Sequence, residues 1–338
     1  MPNPTTDPSP QLFFETINAY HRTAALKAGL ELGLFTAIGS TPATAAEIAA
    51  RCQCPERGIR ILSDNLTIYG FLTKESDRYA VTPSSAVFLD RNSPAYCGDA
   101  AKFLLAPSIT EAFSDLASTV RLGRLHTSEQ GTTAPNHAAW IEFARVMAPM
   151  MVPAAEQAAA LAPLDQTRDT RVLDVAASHG AYGIAFAKMN PRARLVALDW
   201  ESVLAFTGEN ARAAGIADRF SKITGNAFTV DLGSDYDAVL VPNFLHHFNA
   251  AECIRFLHRV HAALRPGGRI VIVEFVPNED RVTPPPSATF SLVMLGTTPE
   301  GDAYTFGEYQ KMLADAGFRD AQLHPLPPTA QSAVIAAK

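Results

Sequence analysis

The chain has 338 residues, 47% of them hydrophobic and 18% charged, with a formal net charge of −6 and a pI near 5.8. That composition permits a sizeable core, makes two domains the default for the length and excludes a disordered chain. The acidic balance argues against a partner held mainly through phosphates, and no apolar run reaches the roughly eighteen residues that a bilayer span needs.

The start, MPNPTTDPSPQ, reads as a short flexible tail, because it lacks the basic and apolar regions of a signal peptide. Four cysteines, at 52, 54, 97 and 253, are too few and too scattered for a disulfide framework, which fits a reducing cytoplasm. From Phe13 to about Gly39 apolar residues recur at helical spacing. The next segment predicts a helix over 44–52, a turn at Cys54-Pro55, a helix over 56–69 and a short hairpin. That hairpin pairs FLTK with RYAVT across Glu75-Ser76-Asp77. Helix, turn, helix and wing together outline a winged-helix unit.

A winged helix first suggests DNA, which would require a basic face. Between 44 and 82 the five acids (Glu47, Glu56, Asp64, Glu75, Asp77) cancel five bases (Arg51, Arg57, Arg60, Lys74, Arg78). Residues 1–100 carry ten acids against eight bases. The expectation is therefore a packing and dimerisation module with no nucleic acid and no membrane partner. Residues 100–163 read as connecting helices. There Trp140, Phe143, Met147 and Met151 form one apolar stripe, which serves either a core or a ligand pocket.

From Arg171 onward short apolar strands alternate with helices. RVLDVA, RLVALD, YDAVLV, RIVIVEFV and SAVIAA read as strands, and ITGNAF at 223–228 closes another. Helices are expected near 181–190, 201–214, 250–264 and 305–316, with PGGR at 266–269 as a turn and Gly317 ending the last helix. The alternation predicts an α/β fold: a doubly wound parallel sheet covered on both faces.

In such sheets ligands bind beyond the carboxyl ends of the strands. Asp174 lies near the end of the first strand and is followed by Ala176, Ser178 and Gly180. Small residues at alternate positions let a ligand lie against the backbone, yet the glycine fingerprint that cradles a pyrophosphate is missing. A nucleoside without phosphates fits better, S-adenosylmethionine above all; a tight turn with no ligand is the alternative. Asp199 ends the second strand, where a carboxylate can accept from both ribose hydroxyls. Trp200 follows and packs beside the nucleoside or merely sits on the surface. Asn226, Ala227 and Phe228 fall near an adenine, Asn226 with both a donor and an acceptor.

VPNFLHHF places Asn243 to His247 just past the fourth strand, and RIVIVEFV puts Glu274 at the end of the fifth. If the crossover returns the chain in parallel, Glu274 can hold one nitrogen of a histidine just beyond the fourth strand and leave the other as a proton acceptor. A metal is the rival for these histidines. His258 and His261 fall on the crossover helix, however, so no closed ligand set assembles and no metal is expected. Cys52 and Cys54 are taken as structural.

Given VLDVAASHG, LVALDW, GNAF and NFLHHFNAAECIRFLHRVHAALRPGGRIVIVEF, residues 171–338 resemble the class I S-adenosylmethionine-dependent methyltransferases. The whole chain resembles the plant-type small-molecule O-methyltransferases of the caffeic-acid and acetylserotonin kind. The resemblance implies a Rossmann-like sheet, mostly parallel with an antiparallel last strand. It divides the chain into a winged-helix dimerisation domain (1–100), a helical connector contributing to the acceptor pocket (101–165) and a cofactor-binding catalytic domain (166–338). It makes His246 the general base oriented by Glu274. Asp174, Ala176, Ser178, Gly180, Asp199, Trp200, Asn226, Ala227, Phe228 and Asn243 fall to the cofactor. Trp140, Phe143, Met147, Met151, His247, Phe290 and Met294 fall to a small-molecule acceptor, in a cytoplasmic homodimer. The chain departs from the family in four places. A-A-S-H-G replaces a glycine-rich loop, Asn226 stands for an acid, and His247 stands for an acid beside the base. Ala303 occupies the place of a second carboxylate, with Asp302 alongside. Methylation at nitrogen or carbon, a cofactor-retaining reaction without methyl transfer, and a regulator with a degenerate catalytic domain remain the alternatives.

Overall fold

A computed structural model describes residues 8–338, so most of the expected N-terminal tail lies outside the described residues. The chain divides into two compact units, Met1–Ala101 and Lys102–Lys338.

In the first unit the apolar stretch forms three helices, Gln11–Ile17, Ala19–Glu31 and Leu34–Ile38. Gly33 breaks the last two apart in a left-handed turn (φ 63°). Strand β1 (Ala43–Thr44) leads into helix Ala45–Cys52. Thr44 caps that helix by accepting the Glu47 N–H, while the Glu47 carboxylate accepts the Thr44 N–H. Helix Glu56–Ile68 follows, then β2 (Leu72–Glu75) and β3 (Arg78–Val81). The hairpin pairs Leu72 with Val81 and Glu75 with Arg78, so the turn is Ser76-Asp77, and β3 also pairs with β1. Leu34, Phe35, Ile48, Ile59, Leu66 and Tyr79 fill the core. Cys52 and Cys54 pack against it as free thiols.

The second unit begins with short helices and the longer pair Ala139–Val146 and Ala148–Leu161, which break at Met147. Seven strands then build one sheet: β4 (Thr170–Val175), β5 (Ala193–Asp199), β6 (Phe220–Thr224), β7 (Tyr236–Pro242), β8 (Leu264–Glu274), β9 (Arg319–Pro325) and β10 (Ser332–Ala337). Their order is β6-β5-β4-β7-β8-β10-β9. Neighbours from β6 to β8 run parallel, and β10 runs antiparallel to both β8 and β9. Central strands buried on both faces are mostly apolar, which is why LVAL and AVLV read as continuous runs and VLDV is interrupted only by the buried Asp174. Two details differ from the sequence expectation. Pro266-Gly267-Gly268 is not a turn ahead of β8 but an excursion within it: Tyr236 pairs with Leu264, whereas Ala238 pairs with Arg269. Strand β9 was not foreseen, because its mostly exposed residues carry no apolar signature.

Helix Ala181–Met189 lies tightly on the sheet. A Cβ on Gly183 would stand 2.5 Å from Leu195 and 2.8 Å from the Asp174 carboxylate, so no larger residue fits. Among the described residues no helix is long and apolar enough to cross a membrane, and no group of three or more His, Cys, Asp or Glu is arranged to hold a metal ion.

Candidate active site

A cavity of about 560 Å³ opens at the carboxyl ends of β4 to β8, where the chain after β4 turns toward β5 and the chain after β7 toward β8. It lies wholly within the second unit. Ala176, Ser178, Asp199, Trp200, Asn226, Ala227, Phe228 and Asn243 line it from the strand ends. Trp140, Phe143, Met147 and Met151 line it from the helices, which places the apolar stripe at a cavity wall. His246, His247, Phe290 and Met294 complete the predicted set. Asp174, Gly180 and Glu274 do not line it.

The loop after β4 alternates left-handed backbone at Ala176 (φ 51°), Ser178 (φ 53°) and Gly180 (φ 77°). A left-handed residue favours glycine, and Ala and Ser accept it at some cost while remaining small. At Gly180 nothing larger is tolerated, since a Cβ would stand 2.8 Å from Thr207. The Ser178 N–H donates to Asp199 Oδ2 (2.9 Å), and the Trp200 N–H donates to Oδ1 (2.7 Å). Burial raises the Asp199 carboxyl to about 6, so it is ionised at neutral pH. Asp174 is fully buried beneath the loop, with Oδ2 accepting the Gly183 N–H and Oδ1 without a partner. Burial pushes its carboxyl up to about 8. Asn226 Oδ1 accepts the Phe228 N–H at 2.8 Å, which leaves the amide NH2 as its open group. Asn243 is held by Gln331, whose Nε2 donates to its Oδ1, and Gln331 Oε1 accepts from the buried Tyr182 hydroxyl at 3.2 Å.

Opposite this loop the parallel register places Pro242 against Val273, so Glu274 lies beside Asn243. The chain turns left-handed at Asn243 (φ 51°) and wraps over the Glu274 carboxylate. The Phe244 and Leu245 N–H groups each donate to Glu274 Oε1 at 3.0 Å, and the His246 N–H adds a longer bond of 3.4 Å. Glu274 Oε2 binds His246 Nδ1. A carboxylate surrounded by donors accepts from Nδ1, so the neutral imidazole presents Nε2 as a lone pair. His247 Nε2 lies 3.1 Å from that atom and is therefore the donor of the pair. Burial and the neighbouring His246 hold the His247 ring well below its usual range, so it stays uncharged. Trp140 packs edge-on against His247 (5.1 Å), and Phe290 packs against His246 (4.9 Å) while stacking on Phe275 (4.1 Å).

Among the described residues no second carboxylate bonds to the imidazole. Asp302 pairs with Arg281 at 3.1 Å, and Ala303 is buried. His261 packs against Phe318 on the crossover helix, remote in role from the histidine pair. Sequence reasoning missed His179, Tyr182, Phe275 and Gln331. His179 and Phe275 each adjoin a residue that was singled out, while Gln331 reaches the site only through the folded sheet.

The comparisons with known proteins point to one family. Residues 132–319 match the family model described as the O-methyltransferase domain, and residues 14–91 match the O-methyltransferase dimerisation domain. The tetracenomycin polyketide synthesis 8-O-methyl transferase TcmO of Streptomyces glaucescens is 28% identical, over 90% of this chain and 90% of its own. The 3-hydroxy-5-methyl-1-naphthoate 3-O-methyltransferase of Streptomyces sahachiroi is 30% identical, over 91% and 89%. A crystallised Nostoc punctiforme protein, named as an O-methyltransferase by inference, superposes with a TM-score of 0.95 at 50% identity, over 98% of this chain and 100% of its own.

Proposed function

The chain belongs to the O-methyltransferase family, and on that premise we propose that it transfers a methyl group from S-adenosylmethionine to a hydroxyl of a small aromatic molecule, with His246 as general base and Glu274 orienting it. The observation that carries this reading is the imidazole at the cavity wall with a buried carboxylate on its far nitrogen.

The residues present suit the nucleoside. The small side chains of Ala176 and Ser178 leave the loop surface open. Asp199 offers an ionised carboxylate at the end of β5, beside Trp200. Beyond β6, Asn226 offers an amide donor, with Ala227 and Phe228 beside it. Bound there, S-adenosylmethionine supplies an electrophilic methyl group on a sulfonium that leaves as a neutral thioether.

The chain's own work is alignment and proton transfer. Trp140, Phe143, Met147, Met151, Phe290 and Met294 form walls that hold a flat apolar acceptor and exclude water. Holding two reactants in line is worth on the order of 7–11 kcal/mol. An acceptor hydroxyl replaces His247 as the donor to His246 Nε2, and its proton passes to that nitrogen as the new bond forms. Glu274 stabilises the imidazolium that results. The names of the two Streptomyces relatives fit an aromatic acceptor, and the N-terminal match fits a chain that works as a homodimer.

The test is incubation with S-adenosylmethionine and a panel of hydroxynaphthalenes, hydroxyanthraquinones and their amine analogues, read by product mass. The expected product carries one added methyl group on oxygen. His246→Ala should keep its affinity for S-adenosylhomocysteine and lose turnover by roughly 10²–10⁴-fold. Full turnover by that variant removes the base. Methylation of the amines alone favours nitrogen chemistry, and a rearranged product of unchanged mass favours a reaction without methyl transfer.

A further inference from the structure

His179 stands in the loop after β4, between Ser178 and Gly180. Its ring is 3% exposed, lines the cavity and stacks on Phe143 with the planes 18° apart and the centroids 5.8 Å apart. The Ala181 N–H donates to Nδ1 at 3.1 Å. That bond fixes the tautomer: Nδ1 carries the lone pair, so the ring proton is on Nε2. Among the described residues no acceptor takes that Nε2–H. Burial lowers the ring to about 4, so at neutral pH His179 is an uncharged donor with a defined direction.

Nε2 is not enclosed by protein; His179 lines the cavity, so a ligand there can accept from its N–H. The sheet order indicates which part of the ligand. With Asn226 beyond β6 and Asp199 at the end of β5, a nucleoside that places adenine and ribose on those strands extends its tail over β4, the next in order. The loop after β4 opens helix Ala181–Met189, whose amino end favours an anion. Three of its backbone donors are engaged, Ala181 on His179, Gly183 on Asp174 and Ile184 on Gly180, which leaves the Tyr182 N–H. The side chain of His179 adds a directed donor at the cavity face of this end. Resting on the nucleoside reading above, we propose that His179 Nε2–H binds the α-carboxylate of the methyl donor's amino-acid tail, and that the Phe143 stack holds the ring in place for it.

The experiment is calorimetric titration with two probes, S-adenosylhomocysteine and its decarboxylated analogue, and needs no acceptor. His179→Phe keeps a ring against Phe143 and removes the donor. It should weaken S-adenosylhomocysteine by roughly ten- to a hundredfold, the loss expected for a hydrogen bond to a charged group, and leave the decarboxylated probe unchanged. His179→Gln, which restores an N–H donor, should recover part of the affinity. Equal losses for both probes would reduce His179 to a packing residue and overturn the inference. So would unchanged binding of S-adenosylhomocysteine to His179→Phe, which leaves the proposed function intact. Failure of the wild-type chain to bind S-adenosylhomocysteine removes the nucleoside reading itself.

Discussion

Asp174 is the residue in the site whose environment is least favourable to its charge. It is wholly buried, one oxygen lacks a partner, and no cation among the described residues offsets its charge. Burial raises its carboxyl to about 8, against an ordinary value near ~3.9 in the unfolded chain. The native state thus keeps a proton that the unfolded chain releases. The stability tied to that proton is complete below about pH 4 and is lost as pH rises through about 8. Asp174→Asn removes the titration without changing shape. Thermal unfolding from acid to mildly alkaline pH should show a flatter stability profile for the variant and a higher Tm than wild type at the alkaline end. A variant profile parallel to that of wild type would mean that Asp174 is charged in the native state. Sequence reasoning put Asp174 near the end of the first strand and gave it to the cofactor, and it did not single out His179. The bond from the Gly183 N–H directs the Asp174 carboxylate at helix Ala181–Met189.

Among elements, helix Gln11–Ile17 needs explanation. None of its residues is buried, and Leu12, Phe13, Phe14 and Ile17 are 76%, 61%, 56% and 57% exposed. Contiguous apolar exposure of this kind marks an association surface. The dimerisation match begins at residue 14. We expect a second copy of the chain to cover this helix. Phe14→Glu with Ile17→Glu should convert a dimer to a monomer in sedimentation, with the helical content of the rest of the chain retained. A wild-type monomer, or a dimer that survives both substitutions, would contradict that. The winged-helix outline was legible because its signals are local: helical runs on either side of Cys54-Pro55 and a hairpin across Glu75-Ser76-Asp77, which the structure narrows to a turn at Ser76-Asp77. The edge strands β6 and β9 were harder to read. A strand exposed along much of its length has no need for an apolar run.

Across the whole molecule, the sheet brings together residues far apart in sequence. Glu274 and His246 are separated by 28 positions and Gln331 and Asn243 by 88, yet the first pair was legible and the second was not. Parallel neighbours joined by one crossover helix have a register that apolar runs nearly determine. The contact from Gln331, just before β10, depends on an antiparallel return after an unforeseen strand. The account of chemistry rests on Glu274 setting the tautomer of His246, and Glu274→Gln tests this most directly. The amide oxygen of glutamine can still accept the Phe244 and Leu245 N–H groups, but its NH2 makes Nδ1 an acceptor and moves the ring proton to Nε2. Turnover and S-adenosylhomocysteine affinity should be measured on the same folded preparation. Turnover reduced by about 10²–10⁴-fold with affinity unchanged is the predicted result. Full turnover in that variant would contradict it.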